Sequence, residues 1–186
     1  MGDNNLSLSL SVLSYPAEMF NDALFNKDEG NKAIDEFQKR RYYRQAILNF
    51  CASVEAALTQ LVHKKLKLMA EDLSPNNTIL LKLLQNGSKV PSEFENISAK
   101  IKKFEELFSC NIDQLTLSNY MRLTSQRNKI THFNESNKSL LYATSTLRNI
   151  AVSAPSKVEA LLSELYNHSG FTRSASPFYK QRKARY

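Results

Sequence analysis

One short stretch in the second half of the chain combines a permanent cation with a group that titrates near neutral pH. Arg127 and His132 are five residues apart, with Asn128 between them. On a helix Asn128 and His132 share a face, whereas Arg127 and His132 lie roughly 140° apart around the axis. The two charged groups would therefore flank one groove from two sides. There a guanidinium can bind phosphate oxygens while an imidazole transfers a proton.

A helix must carry this stretch. The polar run at residues 117–126 is compatible with a helix and leads directly into it. We expect the helix to end around Phe133 or Asn134, with His132 in its last turn. The carbonyl end of the helix dipole favours a protonated imidazole at that position.

A second helix, the longest in the chain, is expected upstream. No Pro or Gly interrupts the sequence between Asn31 and Leu73, and the periodic segment runs from Asn31 to about Ala70. Its apolar residues follow a 4-3-4-3 spacing, typical of a helix-packing seam: Ile47, Cys51, Val54, Leu58 and Leu61. The segment is either one helix of up to ~60 Å or two helices with a bend near Arg40 and Arg41.

Other periodic segments complete an all-α, up-and-down bundle. A short helix opens at Tyr15-Pro16 and stops at Gly30-Asn31, and residues 74–77 form a turn before a brief helix to Gln85. A helix beginning at Pro91 has this apolar face: Phe94, Ile97, Ile101, Phe104 and Phe108. After the motif, one helix carries Leu140, Leu141, Leu147 and Ile150. A separate last helix starts at Pro155 and order ends at Gly170.

Composition narrows the class of protein. The chain has 186 residues, 42% of them hydrophobic, with four Gly and five Pro, which fits one helical domain. We expect neither a membrane span nor a leader, and place the protein in the cytoplasm. The formal charge is +7, and five Lys or Arg lie between His168 and Tyr186 without any acid.

Cysteine and histidine placement predicts no metal or other cofactor. Cys51 and Cys110 form no spaced pair, and the three histidines are scattered along the chain. Cys51 lies on the apolar seam, which predicts a buried, reduced thiol. His63, beside two lysines, is expected on the surface.

Arg127-Asn128 followed by three residues and His132 resembles the Arg-x4-His signature of HEPN-domain ribonucleases. Residues 41–58 resemble the long early helix of that family, with its Ala-Ile-Leu and Glu-Ala-x-Leu sequence patterns. The resemblance covers residues 30–165 and implies a HEPN-like domain at 14–168. It leaves an extended or disordered arm at 1–13 and a basic, flexible tail at 169–186.

The resemblance implies a metal-independent endoribonuclease that uses the RNA 2′-hydroxyl as nucleophile and leaves a 2′,3′-cyclic phosphate. It also implies a homodimer in which two motif copies face one cleft. Arg127 and His132 would be catalytic, with Asn128 orienting the histidine or the substrate. A toxin or antiviral defence setting follows, with an antitoxin or regulatory protein as a further partner. Some members carry Tyr where this chain has Asn134, so regulation by nucleotide modification there is not expected.

Two further groups have two interpretations each. Glu55 lies beside the apolar seam, where it either aims Arg127 or pairs with a surface lysine. Arg41 and Arg44, with Lys39, Arg40, Tyr42 and Tyr43, form either an RNA-binding basic-aromatic patch or a solvated helix face. Lys129, inside the motif, is a third candidate RNA contact.

Two rival functions remain open from the sequence. A non-catalytic HEPN-like dimerisation or RNA-binding module would keep the fold without the reaction. A partner-binding scaffold would use the alternating Leu-Ser segment at residues 1–13 as an added strand.

Overall fold

The structure is a computed structural model that describes residues 14–132, 135–138 and 142–173. Six α-helices account for most of this part of the chain, and it contains no strand. They are α1 (Tyr15–Lys32), α2 (Glu36–Leu68), α3 (Pro75–Gln85), α4 (Ile97–Phe108), α5 (Gln114–Thr131) and α6 (Thr144–Ser169). Short 3-10 turns lie at Ser92–Phe94 and Glu135–Asn137. The all-α prediction is confirmed. The 1–13 arm, Asn134, Leu140, Leu141 and the tail from residue 174 lie outside the described residues.

The second helix begins later than the sequence predicted. The first helix continues through Gly30 to Lys32, and the next starts only at Glu36 because Asp35 caps it, accepting a hydrogen bond from the Gln38 amide at 2.9 Å. From there α2 runs for 33 residues, about 50 Å, through Arg40 and Arg41 without interruption.

The core surrounds α2. All five residues of its predicted seam are buried, and so are large side chains from α4, α5 and α6. By length and composition α2 could also cross a membrane, but 56% of its apolar window is buried inside the fold, as in the central helix of a bundle. Apolar burial on this scale, at about 25 cal/mol per Å², holds the helices together.

The helix that follows α2 begins earlier than the sequence predicted. Ser74 and Pro75 start α3 instead of forming a separate turn: the Ser74 hydroxyl accepts from the Asn77 amide and Pro75 occupies the first position. Asn96 caps α4 by accepting from Ala99 at 2.9 Å, and Asp113 caps α5 by accepting from Thr116 at 2.7 Å.

The predicted break at Pro155 is wrong. One helix, α6, continues through Pro155 although proline cannot donate to the carbonyl four residues earlier. An unbroken buried stripe holds the helix on both sides of it: Leu147, Ala151, Ala154, Val158, Leu161, Leu162 and Leu165. The Ser153 hydroxyl donates to the Ile150 carbonyl at 3.2 Å in the affected turn. Gly170 ends the helix in the left-handed conformation, with φ +68°. The chain stays ordered beyond Gly170, where the sequence predicted order to end: Phe171 packs against Phe108 and Arg173 pairs with Glu159.

Candidate active site at the end of α5

Helix α5 is fixed against α2 by a buried tyrosine. Tyr120 is fully buried and its hydroxyl donates to the Cys51 carbonyl at 3.3 Å. Two turns further along α5, on the same face, comes Arg127, and one turn further along α2 comes Glu55. Tyr120 therefore fixes the position of α5 along α2, and with it where Arg127 meets Glu55.

Arg127 and Glu55 form an ion pair through guanidinium Nη2 and carboxylate Oε1, so the partner of Glu55 is this arginine and not a surface lysine. The side chains are 25% and 29% exposed, so the pair lies at the rim of the core. Nε of Arg127 is buried without a hydrogen-bond partner among the described residues. One edge of the guanidinium is thus held by the protein, and Glu55 uses only part of the five N–H donors of the arginine.

Two neutral acids lie beneath this pair. Burial raises the pKa of the Cys51 thiol to about 12, although the nearby Arg127 charge opposes the shift. Burial also raises the pKa of Tyr120 well above its usual range. Both groups are protonated at neutral pH already at their ordinary pKa values, and burial extends that protonation to alkaline pH. The partner that balances the Arg127 charge is the Glu55 carboxylate.

Lys100 is a member of the cluster that sequence reasoning missed. Its ammonium donates to the Thr59 hydroxyl at 3.3 Å and lies 5.6 Å from the centre of the Phe94 ring. Burial lowers the pKa of Lys100; Glu55 opposes the shift and Arg127 adds to it. Spacing could have found this lysine, since it lies three residues after Ile97 and four before Phe104, on the buried stripe of α4.

Helix α5 ends earlier than the sequence predicted, so His132 lies one residue beyond the helix and not in its last turn. Helix α5 ends at Thr131, and His132 follows as its cap with an extended backbone, φ −110° and ψ 99°. Its amide still donates to the Asn128 carbonyl at 3.0 Å, so its Cα lies about 7.5 Å along the axis from Arg127. His132, Asn128 and Lys129 are all exposed. The imidazole is accessible to a polymer arriving at this end of α5.

The basic-aromatic patch on α2 is smaller than predicted. Tyr43 is 2% exposed, because its ring packs on Gly30, where an added Cβ would lie 2.6 Å from the ring. Arg41 is exposed, whereas Arg44 is partly buried and donates from Nε to the Arg40 carbonyl at 3.1 Å.

Arg41 and Arg44 lie on the same helix as Glu55, the partner of Arg127, but well before it in the sequence. Arg44 precedes Glu55 by eleven residues, about 16 Å along α2. Arg41 and Arg44 therefore belong to a separate surface and do not contribute to the ion-pair cluster.

His63 is not the surface residue that the sequence predicted. It is partly buried on α2, and its Nε2 is buried without a hydrogen-bond partner among the described residues. No group of three or more His, Cys, Asp or Glu side chains with metal-binding geometry occurs in the described part of the chain.

No protein-family model, curated protein or solved structure matches this chain. The geometry of the site is what bears on its chemistry. That geometry brings together Arg127, Glu55 and Lys100, and places His132 at the exposed end of the same helix.

Proposed function

We propose that this protein is a metal-independent endoribonuclease of the HEPN type, working as a homodimer with Arg127 and His132 as its catalytic residues. The observation that carries the proposal is the position of Arg127. A carboxylate from another helix holds its guanidinium at the rim of the core, five residues before an exposed imidazole. A fixed cation beside an accessible acid–base group is what phosphodiester cleavage by an internal nucleophile requires.

The reaction uses the RNA's own 2′-hydroxyl. His132 accepts the hydroxyl proton, the 2′-oxygen forms a bond to phosphorus, and the bond from phosphorus to the 5′-oxygen breaks. The leaving 5′-oxygen takes up a proton, so the products are a 2′,3′-cyclic phosphate and a 5′-hydroxyl. Arg127 stabilises the extra negative charge on the non-bridging oxygens through its N–H donors.

The homodimer is part of the proposal because one chain supplies only one imidazole at this site. Two-fold symmetry places a second Arg127–His132 set opposite the first, so that one histidine can accept a proton while the other donates one. Glu55 positions Arg127, and Asn128, one turn before His132, orients the imidazole or the RNA.

RNA contacts outside the reacting centre come from Lys129 on α5 and from Arg41 and Arg44 on α2. We place the enzyme in the cytoplasm, in a toxin or antiviral setting, under the control of an antitoxin or other regulatory protein.

One observation favours a different function, a non-catalytic RNA-binding or dimerisation module. Glu55 neutralises Arg127, so the pair has no net charge, and a phosphate must compete with the carboxylate for the guanidinium. The exposed Lys129 and Arg41 could still bind an RNA backbone without any reaction.

The two functions differ in what they do to RNA in the presence of EDTA. The enzyme should shorten a labelled RNA at the same rate with and without EDTA, and the fragments should carry 2′,3′-cyclic phosphate and 5′-hydroxyl ends. Intact RNA that nevertheless binds the protein, with an affinity that falls as salt rises, would establish the module instead. Fragments with 3′-hydroxyl ends would contradict the mechanism.

A further inference from the structure

A cavity of about 210 Å³ opens between α3, the 3-10 turn and α4. Ile79, Leu80 and Phe94 form part of its apolar wall, and Asn76, Asn77 and Lys103 contribute polar groups. Leu80 and Phe94 are almost fully buried, so this wall is part of the core and keeps its shape. Small-molecule sites combine such a fixed apolar wall with a few converging polar groups.

The polar side of the cavity is built from partly buried groups. Asn77 is only 9% exposed, and its side-chain oxygen accepts a hydrogen bond from the Lys103 ammonium at 3.2 Å. An asparagine amide has two N–H donors in addition to that oxygen. Asn76 adds a second amide at the exposed edge. The cavity therefore offers both donors and acceptors, which match the polar edge of a nucleobase.

Charge argues against a phosphate in this cavity. The Lys103 ammonium already pairs with both carboxylate oxygens of Glu106, at 2.9 and 2.8 Å. The carboxylate of Glu93 also lines the cavity and would repel an anion. A flat, uncharged ring with a polar edge suits these surroundings better than a phosphate group does.

A series of contacts connects the cavity wall to the proposed active site. Phe94 lines the cavity, and the Lys100 ammonium lies over its ring. That ammonium donates to Thr59, whose hydroxyl in turn donates to the Glu55 carbonyl at 2.8 Å. Glu55 holds Arg127. Contacts through Lys100 therefore link the cavity wall at Phe94 to the residues that hold Arg127.

We propose that the cavity between α3 and α4 binds one nucleobase of the RNA and so gives the enzyme a base preference. The inference rests on the proposed ribonuclease function for its biological meaning, but base binding itself can be measured without cleavage. Stacking of a single base on an aromatic side chain is weak, so a mononucleotide should bind only at millimolar or higher concentration.

The test is an NMR titration of the wild-type protein with each of the four nucleoside 5′-monophosphates and, separately, with inorganic phosphate. At least one nucleotide should shift the side-chain amide signals of Asn76 and Asn77 in a saturable way, and phosphate should not. Ile79→Trp, at a 54% exposed position in the cavity wall, should weaken that binding at least tenfold. Leu68→Trp, at an exposed position on α2 outside the cavity, is the matched control and should leave it unchanged.

The same variants separate this inference from the proposed function. Loss of base preference in Ile79→Trp, with RNA still cleaved, supports the cavity as a specificity site. Absence of nucleotide binding, or shifts that phosphate reproduces, overturns the cavity proposal even if the protein cleaves RNA. Nucleotide binding at the cavity without RNA cleavage keeps the base site and removes the ribonuclease.

Discussion

Two arginine–glutamate ion pairs occur among the described residues, and they differ in sequence span, exposure and surroundings. Arg127 and Glu55 join α5 to α2 across 72 residues of sequence, whereas Arg173 and Glu159 join the segment after α6 back to α6 across 14. The second pair makes two hydrogen bonds, one of them at 2.9 Å between Nη2 and Oε2, and is more exposed.

The surroundings of the two pairs explain why only the first indicates a site. The Arg127 pair lies over two buried acids whose pKa values burial raises, and beside a lysine whose pKa burial lowers. Its arginine also has a buried N–H without a partner among the described residues. Arg173 instead rests over the Phe20 ring, 5.9 Å from its centre. An ion pair alone is therefore poor evidence for function, and desolvated neighbours make it informative.

Replacing the arginine of each pair should give the largest difference between the two pairs, measured as the rate of RNA cleavage. Arg127→Ala removes the donors that stabilise the phosphate charge, and should lower the rate of RNA cleavage by about 10²–10³-fold. Arg173→Ala, the matched control, should retain the wild-type rate. Equal losses in the two variants, in initial-rate assays with a labelled RNA, would mean that the Arg127 pair is only structural.

Replacing each glutamate should separate positioning from stability. Glu55→Gln leaves Arg127 partly buried without its counter-charge, so the free energy of unfolding should fall by about 1–2 kcal/mol. Glu159→Gln, in the more exposed pair, should cost less than about 0.5 kcal/mol. Urea denaturation measures both. If Glu55 positions the guanidinium, Glu55→Gln should also lower kcat more than it raises KM, and no such split should appear for Glu159→Gln.

Alkaline pH should destabilise the protein through Cys51, the buried thiol next to the Arg127–Glu55 pair. The folded pKa of Cys51 is raised to about 12 from a usual value of 9.0, so above pH 9 the unfolded chain releases a proton that the folded state retains. Stability is therefore unaffected below pH 9 and falls as pH rises from 9 towards 12, by roughly 1 kcal/mol at pH 10. Cys51→Ser should reduce this loss in urea denaturation at pH 7 and pH 10. An unchanged loss would place its origin elsewhere.

Much of this arrangement follows from residue spacing. The seam of α2 was predictable because apolar side chains at 4-3-4-3 intervals can only be buried together. The sequence left two possible partners for Glu55, Arg127 or a surface lysine. A carboxylate beside an apolar seam needs a partner, but residue spacing does not say which one it takes.

The features that were mispredicted or missed depend on neighbouring elements. Tyr43 is buried because Gly30 on α1 leaves room for its ring, and α6 continues through Pro155 because burial on both sides of the proline outweighs one lost hydrogen bond. Lys100 joins the cluster because α4 packs against α2 at Thr59, which the periodicity of α4 alone does not specify.

The most direct measurement is the rate at which His132→Ala cleaves a labelled RNA in EDTA, compared with wild type and with His168→Ala. His168 is also an exposed histidine at the C-terminal end of a helix, so it controls for loss of such a residue in general. The proposed mechanism predicts a loss of about 10²–10⁴-fold for His132→Ala and none for His168→Ala. A His132→Ala protein that cleaves RNA as fast as wild type would contradict it.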